Sequence, residues 1–92
     1  LILYDKGQID PHIWMDIELW SVTIPLIVEA LSAKDSAHAV YYRANGEKLR
    51  ERMAQEHSAI FADLQEIPPE KRYLVTSHDA FQYFVRAYMA TA

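Results

Sequence analysis

From Ser36 to Glu66 the chain carries one unbroken helical stripe, and nothing else in the sequence restricts the fold as much. Tyr42, Leu49, Met53, Ile60, Leu64 and Ile67 keep helical spacing, Gly46 and His57 fall on the same seam, and Pro68-Pro69 ends it. At 1.5 Å per residue such a helix extends about 46 Å. A compact globule of this chain length has a radius of gyration of about 12 Å and a diameter of about 32 Å. The helix outgrows the globule that the 92 residues could form by themselves. It is therefore broken at Asn45-Gly46, projects into an oligomer, or bridges two lobes of a larger protein, and bridging is the expectation.

On either side of this rod the pattern alternates between short extended runs and helices, an α/β class that is mostly helical in this segment. Leu1-Ile2-Leu3-Tyr4 reads as the end of a buried strand, closed by a turn at Asp5-Lys6-Gly7. Asp10-Pro11-His12 is a restrained loop, because proline fixes its own φ and pushes Asp10 toward extended backbone. Ile13, Ile17, Trp20, Ile24, Ile27 and Leu31 then form a helical stripe. Asp16 is placed to cap it, and Pro25 should bend it near Ser21 by removing one backbone hydrogen bond. Ser32 to Ser36 interrupts the pattern, and Asp35 or Ser36 is a suitable N-cap for the long helix. Beyond Pro68-Pro69, Tyr73-Leu74-Val75-Thr76 predicts a strand that stops at Ser77-His78-Asp79, and Phe81, Phe84 and Tyr88 predict a helix after it. The helix-spaced aromatics, Trp14 and Trp20 among them, are expected mostly in the core, with Trp14 also placed to wall off a site at His12.

Composition removes several function classes. Cysteine is absent, which excludes disulfides, zinc-thiolate sites and thiol nucleophiles. A net charge of −4 argues against binding nucleic acid. The one basic group, Lys48-Arg50-Arg52, alternates with Glu47 and Glu51 and reads as a solvated helix face. No apolar run approaches the roughly 20 residues that cross a bilayer. The start at Leu1, without methionine or signal peptide, suggests a segment of a longer chain.

The chemistry left open centres on 4 histidines. His78 lies at the carboxyl end of the expected strand, the edge where α/β proteins gather ligands, and His12 is presented by the stiff loop. Both adjoin carboxylates, Asp79 and Asp10, that could hold a ring in one tautomer. His38, in the first turn of the long helix, and His57, on its seam, read as structural. A turn residue at Asp10, a helix-start charge at Asp79 and satisfied structural histidines are the plainer alternatives. Ser77 beside His78 is the local nucleophile candidate, weakened by the absence of a Gly-rich elbow.

Taken together, Asp10-Pro11-His12-Ile13-Trp14, Thr76-Ser77-His78-Asp79-Ala80-Phe81 and Tyr83-Phe84 resemble the metal-binding solute-binding proteins of ABC importers, the TroA/ZnuA-type family. Tyr42-Arg43-Ala44-Asn45 is similar to the Y-x-x-N near the start of that family's interlobe helix, and Ile67-Pro68-Pro69 to the break that ends it. The resemblance implies a fragment of a bilobal protein: residues 1–34 from the end of the N-terminal lobe, 35–67 the bridging helix, 68–92 the start of the C-terminal lobe. It also implies metal ligands at His12 and His78, one from each lobe, with Asp10 and Asp79 orienting them and the remaining two ligands outside the segment. The implied function is capture of a divalent transition metal and its delivery to a membrane ABC permease, without catalysis. The implied location is the periplasm or the outer face of a membrane, anchored there. Histidine at position 78, where manganese-selective members often carry glutamate, favours zinc, with manganese and iron in the same class. Three positions depart from the family pattern: Ile17 for a common proline, Gln82 for a common glycine, and Met89 for a common glycine. The segment alone should bind metal weakly unless copies self-associate to complete the coordination shell. A metal hydrolase using the same histidines and a helical interaction module built on Leu49, Met53, Ile60 and Leu64 are the rival readings.

Overall fold

The computed structural model describes residues 1–90. Strands β1 (Tyr4–Asp5) and β2 (Gln8–Ile9) form an antiparallel hairpin, with Tyr4 opposite Ile9 and Asp5 opposite Gln8. Lys6 and Gly7 both take positive φ, 52° and 79°, as a two-residue hairpin turn with right-handed strand twist requires. The expected turn is there, but the buried strand before it is not. Leu1 is 95% exposed, and among the described residues no sheet beyond this hairpin covers the run.

A short 3-10 turn, Ile13–Met15, leads to helices α1 (Ile17–Ser21) and α2 (Ile24–Lys34). The stripe that predicted one bent helix is thus divided in two, with the break at the expected place. Asp16 caps α1 by accepting from the Leu19 N–H, as expected. Pro25 falls in the first turn of α2, where its missing N–H would have had no partner, so it begins a helix instead of kinking one. The hydroxyls of Ser21 and Thr23 donate to the Glu18 and Trp20 carbonyls and close the end of α1.

After a 3-10 turn at Ser36–His38, helix α3 runs without a break from Ala39 to Gln65, 27 residues or about 40 Å. Neither Asp35 nor Ser36 provides a side-chain N-cap. The Asp35 carboxylate instead accepts from the His38 ring at 2.8 Å and from the Tyr42 hydroxyl at 2.6 Å. Gly46 lets α3 lie against α2: a Cβ there would stand 2.6 Å from Val28 Cγ2, too close for any side chain. With a 3-10 turn in place of its first residues, α3 is still longer than the diameter of about 32 Å of a compact globule of this chain length. The radius of gyration is 16.4 Å and the principal extents are 53 × 32 × 21 Å.

Arg72 finishes α3 from outside. Its guanidinium donates to the carbonyls of Ile67 (2.8 Å) and Gln65 (3.4 Å), and also to Ala90 (3.3 Å). Tyr73 to Thr76 follow without forming the expected strand, Tyr73 being 75% and Val75 87% exposed. A strand needs a neighbour for its N–H and C=O groups, and among the described residues none pairs with this run. The final helix begins as α4 (Gln82–Phe84) and widens into a π-helical turn, Val85–Met89, that buries Tyr88 and Met89. Met89, a departure from the family pattern, lies in this turn, and Thr91 and Ala92 after it lie outside the described residues.

The most buried large side chains are Tyr83 and Tyr88. Trp14 and Trp20, expected in the core, are each 49% exposed. Trp14 lies on the 3-10 turn beside His12, and Trp20 lines an open groove between the first helices and α3.

Candidate metal centre

Asp10 is the pivot of the site. It follows the hairpin, is 4% exposed, and its N–H donates to the Leu3 carbonyl at 2.8 Å, one step further along the ladder. The reciprocal bond, from Leu3 N–H to the Asp10 carbonyl, is replaced by the Tyr83 phenol. Its oxygen accepts the Leu3 N–H at 3.0 Å, and its proton goes to the Asp10 carbonyl at 2.7 Å. A side chain from the C-terminal helix thereby closes the end of the N-terminal hairpin and holds the backbone that carries His12.

The Asp10 carboxylate is shared between its two oxygens. Oδ1 accepts from the backbone N–H of His12 at 3.0 Å and meets the ring Nδ1 at 2.6 Å; Oδ2 accepts from the Gln82 amide at 3.0 Å. Burial works to raise the Asp10 pKa, but the His12 N–H, the His12 ring and the Gln82 amide outweigh it, and the net shift is downward. A carboxylate only accepts, so the proton between them belongs to His12 Nδ1, and the Nε2 lone pair faces away from Asp10.

His78 arrives from the other end of the chain. Its carbonyl accepts from the Ala80 N–H and from the Thr76 hydroxyl, each at 2.9 Å, which turns the backbone sharply before α4. The His12 and His78 ring centres are 5.5 Å apart, with the planes at 84°. Trp14 also stands edge-on to His12, at 5.4 Å between ring centres. Asp79 lines an open cleft of about 370 Å³ together with Asp10, His12 and the hairpin residues Asp5 and Lys6. Among the described residues Asp79 makes no hydrogen bond to His78.

Four of the five residues singled out from sequence, Asp10, His12, Trp14 and His78, are thus joined by direct contacts, and Asp79 lines a cleft beside two of them, Asp10 and His12. His38 and His57 lie apart from it. His38 pairs with Asp35 on the surface, and His57 Nδ1 lies 3.0 Å from the Tyr88 hydroxyl, whose oxygen accepts the Ile17 N–H at 2.9 Å. Burial raises the Tyr88 pKa, the Ile17 N–H works against it, and the nearby Asp16 and Glu18 charges add to the rise, so the net shift is upward. Tyr83 was not singled out for the site from sequence, and Gln82 only as a departure from a family pattern. A fully buried tyrosine needs a partner for its hydroxyl, but periodicity does not reveal which.

The described residues contain no cluster of three or more His, Cys, Asp or Glu side chains able to hold a metal ion. What they do contain, two imidazoles and no thiolate, suits a borderline divalent ion.

The family profile described as "Zinc-uptake complex component A periplasmic" matches residues 4–92. The chain belongs to this family. Among curated relatives, the metal-binding protein YtgA of Chlamydia pneumoniae is 40% identical over 89 residues, covering 97% of this chain and 27% of its own length. The zinc-binding protein TroA of Treponema pallidum is 31% identical over 84 residues, covering 91% of this chain and 27% of its own. The manganese ABC transporter substrate-binding lipoprotein PsaA of Streptococcus pneumoniae is 33% identical, with the same 91% and 27% coverage. The solved periplasmic zinc-binding protein TroA from Treponema pallidum superposes with a TM-score of 0.86 at 30% identity, over 94% of this chain and 31% of that one. The chain therefore spans less than a third of the length of these relatives.

Proposed function

We propose that this chain is part of a metal-capture protein that binds a divalent transition metal outside the cytoplasmic membrane and passes it to an ABC permease. In this reading the protein is anchored at the membrane and carries out no catalysis. Zinc is the leading cargo, with manganese and iron in the same class. His12 and His78 ligate the ion through neutral imidazole nitrogens, Asp10 orients His12, Asp79 forms the acidic wall of the cleft, and Trp14 shields one flank. Residues 1–34 belong to one lobe, 35–67 to the helix that spans to the next, and 68–92 to the second lobe.

The observation that carries this reading is the 5.5 Å between the His12 and His78 ring centres, reached from opposite ends of the chain. Two imidazoles on one tetrahedral zinc, each nitrogen about 2.0 Å from the ion, hold their ring centres about 5 Å apart. The observed separation is close to that spacing. The names of the relatives support the coarse part of the proposal: TroA is called zinc-binding, and PsaA a manganese ABC transporter substrate-binding lipoprotein. Neither name selects the metal for this chain. Competitive titration of the intact protein with zinc, manganese and iron tests the cargo, and zinc should bind most tightly. Stronger binding of manganese than of zinc would overturn the zinc assignment.

A further inference from the structure

Gln82 has no place in the ligand set, yet it reaches across the site. Its amide donates to Asp10 Oδ2 at 3.0 Å from the first residue of α4, the helix that follows the His78 turn. The torsion that rotates a carboxylate is soft and roughly two-fold, so bonds to Oδ1 alone, both from His12, leave the group free to rock about that atom. A second bond, to Oδ2 from a different part of the chain, fixes its plane. With the plane fixed, Oδ1 stays on both the His12 N–H and the ring Nδ1.

We propose that Gln82 is a positioning residue for metal binding: through Asp10 it holds His12 in the Nδ1–H tautomer with Nε2 turned to the ion, and it ties that orientation to the His78 segment. This rests on the reading of His12 as a ligand. The adjacent Tyr83 grips the Asp10 carbonyl, so neighbouring residues of one helix hold both the backbone and the side chain of Asp10. Any shift of α4 relative to the hairpin is transmitted to the His12 ring.

Gln82→Met keeps the length of the side chain and removes the donor. In the intact protein it should weaken zinc binding about tenfold, the lower range for disturbing the partner of a ligating histidine. In the metal-free protein, long-range proton–nitrogen NMR of labelled histidine should show His12 as one Nδ1–H tautomer, and Gln82→Met should turn it into a mixture. In an Asp10→Asn background the same change should have no further effect on affinity, because the path through the carboxylate is already cut. The proposal is overturned by an unchanged tautomer population, whatever happens to affinity, or by a tenfold loss that persists in the Asp10→Asn background. Zinc binding that survives His12→Ala would instead remove the ligand assignment, while the metal-free tautomer measurement still judges the link from Gln82 to His12.

Discussion

The body built from α2 and α3 and the edge that carries the histidines are held together by different forces. In the body, apolar stripes meet over Gly46, and the distance between helices is set by the absence of a single Cβ. At the edge, very short elements that could not persist alone are fastened by polar side chains acting over long sequence distances: Tyr83 on the hairpin, Gln82 on Asp10, Tyr88 on Ile17. Shape decides the first region and hydrogen-bond geometry the second. A metal site benefits from the second kind, because directional bonds set the angle of a ring as well as its position.

That contrast can be broken by substitution. Tyr83→Phe keeps the shape and removes the hydroxyl that bridges Leu3 N–H and the Asp10 carbonyl, and stranding two backbone groups should cost about 2 to 3 kcal/mol in urea unfolding. A cost near zero would mean that the edge is held by packing after all. Gly46→Ala tests the body. Overpacking against Val28 should cost about 1 to 2 kcal/mol after the gain in helix propensity, and Val28→Ala in the same molecule should restore most of it. Arg72→Ala removes donors from the end of α3 at a partly exposed site and should cost about 1 kcal/mol.

The smallest effect is one of pH. The pKa of Tyr88 is raised on folding, so its contribution is complete below about pH 10, the ordinary tyrosine value, and fades as pH rises above it. Alkaline unfolding should therefore weaken in Tyr88→Phe relative to the parent chain, measured as the difference in urea midpoint between pH 9 and pH 11. Equal alkaline losses in both proteins would exclude Tyr88 as the group responsible.

The same contrast governs what could be read from sequence. The long helix, the Asp16 cap and the turn at Lys6-Gly7 follow from spacing and local chemistry, which a single chain displays in full; the interruption after Ser21 falls where the sequence places it, but Pro25 begins a new helix there instead of bending one. Tyr73 to Thr76 has the composition of a strand, but strand formation depends on a partner, and none among the described residues supplies one. His12 and His78 were legible as candidates through their neighbours and a family resemblance, whereas their proximity is a tertiary fact. Tyr83 and Gln82 act through bonds to residues near the other end of the chain, and no periodicity encodes such pairs.

Calorimetric titration of zinc into the intact protein, the His12→Ala variant and the His78→Ala variant is the most direct test that the two rings serve one ion. Each substitution should lower affinity by at least about a hundredfold, and the double variant should be little worse than either single one, since losing one ligand already opens the site. Zinc binding that is unchanged in both single variants would contradict the account.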